Sequence, residues 1–280
     1  MLGAASLWSM IGPVSKLAFH EGVMPMEVAF WRAALAWGFF GGHAVITKQT
    51  HLERKDIPAL VFFSLTGITL FYSSYQLAVK SGGAALAAML LYTAPAWVAI
   101  MSRLFFKESL SMVTLIALVA TLLGVCGVSL GVVGLNDPEI RLTPAAIIFG
   151  LLSGFSYSLY YILGKIFSDR YTSANFFLYI LPLGALILLP WVHFAPKTLT
   201  AWVCLFFLAF LCTYGAYYCY YAGLQRIGPT RASITATLEP VLAALTAYLW
   251  WDEYFTVIGY VGSFLILGAV VVIVRDDSKG

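Results

Sequence analysis

At 280 residues the chain has room for one or two soluble domains, yet only 10% of it is charged, 61% is hydrophobic and mean hydropathy is +0.89. A soluble surface of that size calls for roughly a quarter charged residues, so the chain presents apolar surface to something other than water, and the bilayer is the ordinary candidate. The net charge of +3 is small and its bearers are scattered, which excludes a nucleic-acid partner.

A spanning helix needs about 20 mostly uncharged residues to cross about 30 Å of hydrocarbon. Ten such stretches follow one another at 2–20, 25–46, 57–80, 83–105, 110–133, 144–167, 174–194, 201–225, 229–251 and 255–274, which predicts an all-α integral membrane protein of ten transmembrane helices. The first stretch differs from a signal peptide in containing Pro13, lacking a basic n-region and being followed at once by another span. A short cytoplasmic tail is expected to precede it. Cys126, Cys204, Cys212 and Cys219 all fall inside spans and read as small apolar helix residues without disulfides. No P-loop or HExxH motif occurs, and His20, His43, His51 and His193 sit near span ends instead of converging. Direct ATP drive, a metal site, a cofactor and enzymatic activity are therefore not expected.

Orientation follows from the basic residues, which cytoplasmic loops hold in excess. With the amino terminus inside, the cytoplasmic face collects Lys48, Arg54, Lys55, Arg103, Lys107, Lys165, Arg170, Arg226, Arg231, Arg275 and Lys279. The opposite face collects Lys16, Arg32, Lys80, Arg141 and Lys197. Eleven against five places both termini in the cytoplasm, as an even number of spans requires.

The chain also repeats itself. Residues 72–108 laid over 217–253, without gaps, give eight identities in 37 positions, among them Tyr72 with Tyr217, Tyr75 with Tyr220, Pro95 with Pro240 and Glu108 with Glu253. About three would be expected at this composition. Lys16 aligns with Lys165 and Trp8 with Tyr157, so residues 1–135 and 143–275 form two five-helix units. An odd number of spans per unit inserts the second copy upside down, the arrangement of many secondary transporters, with sites at the repeat interface near mid-bilayer. Pro95 and Pro240 lie near that depth and are expected to kink their helices, as packing bends alone or as hinges beside a cavity.

Together these features resemble the ten-helix, EamA-type members of the drug/metabolite transporter superfamily over essentially the whole chain. The resemblance is carried by Trp8 and Lys16 in the first span, Arg32 in FWRAALA, Pro95 followed by Glu108, Pro240 followed by Glu253, and LEPV at 238–241. Ser9 stands where the family usually has Gly after the tryptophan. The resemblance implies a helical basket in the plasma or inner membrane with a central cavity, moving small metabolites, often outward.

Glu239 and Arg32 are the two charges deep in predicted spans, where a charge costs at least about 2.5 kcal/mol and needs a partner, a cavity or a function. Glu239 fits either a proton-exchanging or ammonium-binding carboxylate or a structural glutamate beside the Pro240 bend. Arg32 reads as structural, paired with another span or snorkelling outward, and Lys16 and Lys165 as helix-end anchors that could instead meet a substrate carboxylate. Tyr72 and Gln76, four apart, align with Tyr217 and Tyr221 and are expected to share a face. Trp8, Tyr92 and Tyr157 lie in spans that the resemblance marks as cavity-lining, and such aromatics can cage an organic cation. Glu108 and Glu253 are expected to support the starts of helices five and ten.

The small-residue pairs Gly38 with Gly42, Gly127 with Gly131 and Gly150 with Gly154 allow close helix contact within a monomer or across a weak homodimer. The expected activity is secondary transport, as exporter or facilitator, of small organic metabolites with amino acids foremost, with membrane lipids as surroundings and proton exchange left open. The alternatives are organic-cation efflux, sugar-phosphate or nucleotide-sugar exchange, lipid flipping and intramembrane enzymology.

Overall fold

The computed structural model describes residues 1–133, 142–251, 254 and 256–277, and among them there is no strand. The first predicted span is two helices, α1 (Leu2–Trp8) and α2 (Ile11–His20), and the second is one, α3 (Pro25–Ile46). The third is α4 (Ile57–Phe63), a π-helical turn at Ser64–Leu70 and α5 (Phe71–Gly82), which Gly83 stops at φ 86°, a conformation that suits glycine. The fourth is again interrupted, as α6 (Ala84–Leu91) and α7 (Ala94–Phe105), and α8 (Met112–Val133) follows.

Beyond residue 142 run α9 (Pro144–Ser168), α10 (Ser173–Leu188), α11 (Leu199–Ala209), a second π-helical turn at Phe210–Gly215 and α12 (Ala216–Arg226). The chain then forms α13 (Pro229–Ala236), α14 (Leu238–Trp251) and α15 (Val257–Asp277). Thr143, Thr172 and Thr198 cap α9, α10 and α11 by accepting from the amides of Ala146, Asn175 and Ala201. The order π turn, α5, α6 recurs as π turn, α12, α13 at the 145-residue offset found in the sequence. Arg141, Trp251 as a side chain, Glu253 and Lys279 lie outside the described residues.

Among the described residues, eight helical runs are long and apolar enough to cross a membrane: Arg54–Gly82, Leu86–Phe105, Met112–Gly131, Pro144–Ser168, Ser173–Trp191, Leu199–Arg226, Pro229–Trp250 and Val257–Asp276. The protein is thus a multi-pass integral membrane protein. The first two predicted spans are absent from this set because α1 and α2 are each short, while α3 carries Glu27, Arg32 and His43.

Pro95 and Pro240, expected from the sequence to kink their helices, instead sit where each span is interrupted. The helix ends at Tyr92 or Thr237 and a new one starts, with Pro95 and Pro240, like Pro13 in α2, in its first turn. There the missing proline N–H costs no helical hydrogen bond.

Packing is closest between α8 and α15, where backbone meets backbone. A Cβ on Gly262 would lie 2.6 Å from the Val128 amide nitrogen, and one on Gly127 would lie 2.9 Å from Gly262 Cα. The Gly127 and Gly131 pair therefore packs inside the protomer, and Gly150 and Gly154 do the same against Leu90 and Thr93. Gly38 and Gly42 have nothing within 4 Å. Gly262→Ala is expected to lower stability by about 1–3 kcal/mol through overpacking, whereas Gly38→Ala in α3 should be neutral or slightly stabilising. Thermal unfolding of both variants in detergent checks the contrast.

Residues 127–131 read GVSLG and formally fit the GxSxG nucleophile pattern. That pattern works on a strained strand-to-helix turn; here it lies within α8, with two of its residues against α15.

Two polar clamps tie loops to helices. Buried Asp56 accepts from Arg170 at 2.7 and 2.8 Å and from the Tyr171 hydroxyl at 2.6 Å. Elsewhere, Glu27 at the start of α3 is fully buried, pairs with Lys197 and accepts from the Trp31 indole. The Lys197 ammonium also sits 5.4–5.6 Å from the ring centres of Trp31, Phe194 and Trp202.

Candidate functional site

The interruptions at Ser9, Tyr92 and Thr237 meet around a cavity of about 590 Å³. Irregular backbone at membrane depth is tolerated where it lines such a space, because water or solute can satisfy the freed polar groups. Helices α1, α2, α3, α5, α6, α8, α9, α12 and α14 all contribute to the wall.

The wall is aromatic and carries charges of both signs. Trp8 meets Tyr217 edge-on at 6.1 Å, Phe71 stacks on Tyr157 at 5.5 Å, and Tyr157 and Tyr161 share a hydroxyl–hydroxyl contact of 3.3 Å. Tyr220 donates to the Tyr160 carbonyl at 2.6 Å, which fixes α12 against α9. Glu239, second residue of α14, faces the cavity with the Tyr92 hydroxyl beside its carboxylate. Arg32 reaches the wall from α3 and donates from Nε to Thr213 Oγ1 at 3.2 Å, so it does pair with another helix while still lining the cavity. Tyr72, Tyr217 and Glu239 all lie within electrostatic reach of Arg32, and Lys16 lines the same space from α2. Such a wall offers a carboxylate within a tyrosine cage for a cation, and a guanidinium beside phenols for an anion.

Trp8, Lys16, Arg32, Tyr72, Tyr92, Tyr157, Tyr217, Glu239 and Pro240 are brought together on this wall. Four other candidates are not. Gln76 is half-buried off the cavity, and its repeat mate Tyr221 is 1% exposed against Phe176 and Phe177. The residues that face inward are Tyr75 and Tyr220, three rather than four after Tyr72 and Tyr217, because the cavity lies on the i+3 side of α5 and α12. Pro95 is buried at the start of α7. Lys165 donates to the carbonyls of Leu224 and Gln225 at the end of α12, the ordinary place for a cation.

The sequence analysis did not select Phe71, Tyr75, Tyr160, Tyr161 and Tyr220. The match of Tyr75 to Tyr220 in the repeat, and the 157, 160, 161 spacing of tyrosines on one helical face, were the available signals. Glu108 also departs from expectation: its carboxylate accepts from Thr230 in α13 at 3.0 Å instead of serving the start of α8.

The chain is 29% identical over 272 residues to an uncharacterized transporter of Archaeoglobus fulgidus, covering 95% of this chain and 93% of that one. It is 24% identical to the uncharacterized transporter YdfC of Bacillus subtilis, covering 94% and 86%, and 28% identical to the uncharacterized inner membrane transporter YicL of Salmonella typhimurium, covering 81% and 76%. A crystal structure of 18% identity superposes with a TM-score of 0.82 over 99% of this chain and 96% of the other, which shows a common fold. The EamA-like transporter family matches residues 1–130 and 144–275, and with that coverage the chain belongs to the EamA-like transporter family.

Proposed function

We propose that the chain is a secondary transporter of small amphipathic organic solutes, amino acids foremost, working by alternating exposure of the cavity. In this reading it has ten spans with both termini cytoplasmic, and residues 1–135 and 143–275 are five-span units related by inversion. The pairing of helices supports it: α5 packs on α9 as α12 packs on α1, while α3 meets α10 and α8 meets α15 across the two units.

The observation that carries the solute class is that one cavity wall bears charges of both signs among aromatic rings. Glu239 within its tyrosines suits an ammonium group, Arg32 with Tyr72 and Tyr217 suits a carboxylate, and the aromatic surface of the same wall suits an apolar side chain. Pockets of 300–1,000 Å³ are typical of small-molecule sites, and this one falls within that range. Organic-cation efflux is the second reading, favoured by Glu239 among tyrosines; a doubly anionic sugar phosphate would need more buried cations than Arg32 and Lys16 supply.

Uptake into vesicles of labelled amino acids, sugar phosphates and lipophilic amines tests this. Amino acids should be carried, Tyr75→Ala should reduce their uptake about tenfold by removing a cavity aromatic worth roughly 1 kcal/mol or more, and Gln76→Ala should leave it near the parent rate. Carriage of amines alone would replace the first reading with the second, and carriage of no solute would reject both.

A further inference from the structure

The cavity is one-sided. Its wall runs from Glu239 toward the C-terminal ends of α2 and α14 and the start of α6, taking in Lys16, Ala88 and Ala244, whereas no residue of α7 or α13 touches it. Those two helices pack on each other, and α13 packs on α1 and α9 as well, so they floor the cavity at its other end.

What joins the two floor helices is polar. After α7, the Glu108 amide donates to the Ser102 carbonyl and its own carbonyl accepts from Arg103, which fixes the turn. The Glu108 carboxylate then crosses to α13, accepting from Thr230 Oγ1 at 3.0 Å and lying where a Cβ on Gly228 would be 2.6 Å from Oε1. Gly228 therefore cannot carry a side chain while the carboxylate is seated.

We infer that the Glu108–Thr230 hydrogen bond is the latch that keeps the α7–α13 end of the cavity shut and leaves the resting protein exposed at the opposite end. This rests on the alternating-exposure reading above. A hydrogen bond to a charged group, once lost, shifts a two-state equilibrium about tenfold or more.

Spin labels on Leu104→Cys with Arg226→Cys report the floor, and on Lys80→Cys with Leu249→Cys the opposite end, with Cys126, Cys204, Cys212 and Cys219 replaced by alanine. Thr230→Val, which keeps the branched shape but not the hydroxyl, should enlarge the population with the longer floor separation about tenfold and shrink the open population at the other end. Thr230→Ser should restore the parent distribution, and Glu108→Ala should behave as Thr230→Val does. Two separations whose populations ignore all three substitutions would overturn the latch and leave alternating exposure standing. One fixed separation in the parent and every variant, with or without amino acids, would overturn both.

Discussion

Glu239→Gln abolishes solute uptake driven by a pH gradient, if the carboxylate is the group that exchanges protons, and weakens the binding of solutes whose ammonium the carboxylate holds. Glutamine keeps the shape and hydrogen-bonding capacity of the protonated acid but cannot release a proton. Glu239 is the one carboxylate on the cavity wall among the described residues, at the start of a half-helix with Tyr92 beside it. Binding measured by calorimetry and uptake measured in vesicles with and without an imposed gradient separate the two steps. Driven uptake at the parent rate would remove Glu239 from coupling and leave it a structural carboxylate beside the break in the helix.

The second large effect is on stability. Glu27→Ala leaves the Lys197 ammonium enclosed by Trp31, Phe194 and Trp202 with its carboxylate partner gone. Removing one member of a buried ion pair costs about 3–5 kcal/mol, because the remaining charge has lost both water and partner. Thermal unfolding in detergent should show a large drop in Tm. The double variant Glu27→Ala with Lys197→Met should recover much of it, since the stranded charge is then absent. A Glu27→Ala protein as stable as its parent would mean that the aromatic rings and the Ala195 carbonyl suffice to hold Lys197.

The positions of the last eight of the ten predicted spans were legible because hydropathy reports directly on the solvent that each helix faces. The breaks were less so: nothing apolar or polar changes across Ser9–Met10, Tyr92–Thr93 or Thr237, and only the prolines two or three residues later mark the restart. The repeat alignment paired Tyr72 with Tyr217, and both line the cavity, but helical spacing alone cannot choose between the i+3 and i+4 neighbours, and the choice of Gln76 and Tyr221 fell on the wrong side of it. Contacts between distant segments were out of reach. Glu108 with Thr230, Glu27 with Lys197 and Asp56 with Arg170 are each separated by more than a hundred residues, and in sequence they are ordinary loop or helix-end charges.

The glycine-to-backbone seam between α8 and α15 has a mechanical consequence. Sliding either helix by even part of a turn would drive Gly262 into the next carbonyl or side chain on α8, so the pair behaves as a fixed spine. Displacements of the remaining helices can therefore be measured against it, and a fluorophore anchored there would serve as a stationary origin for following a single turnover.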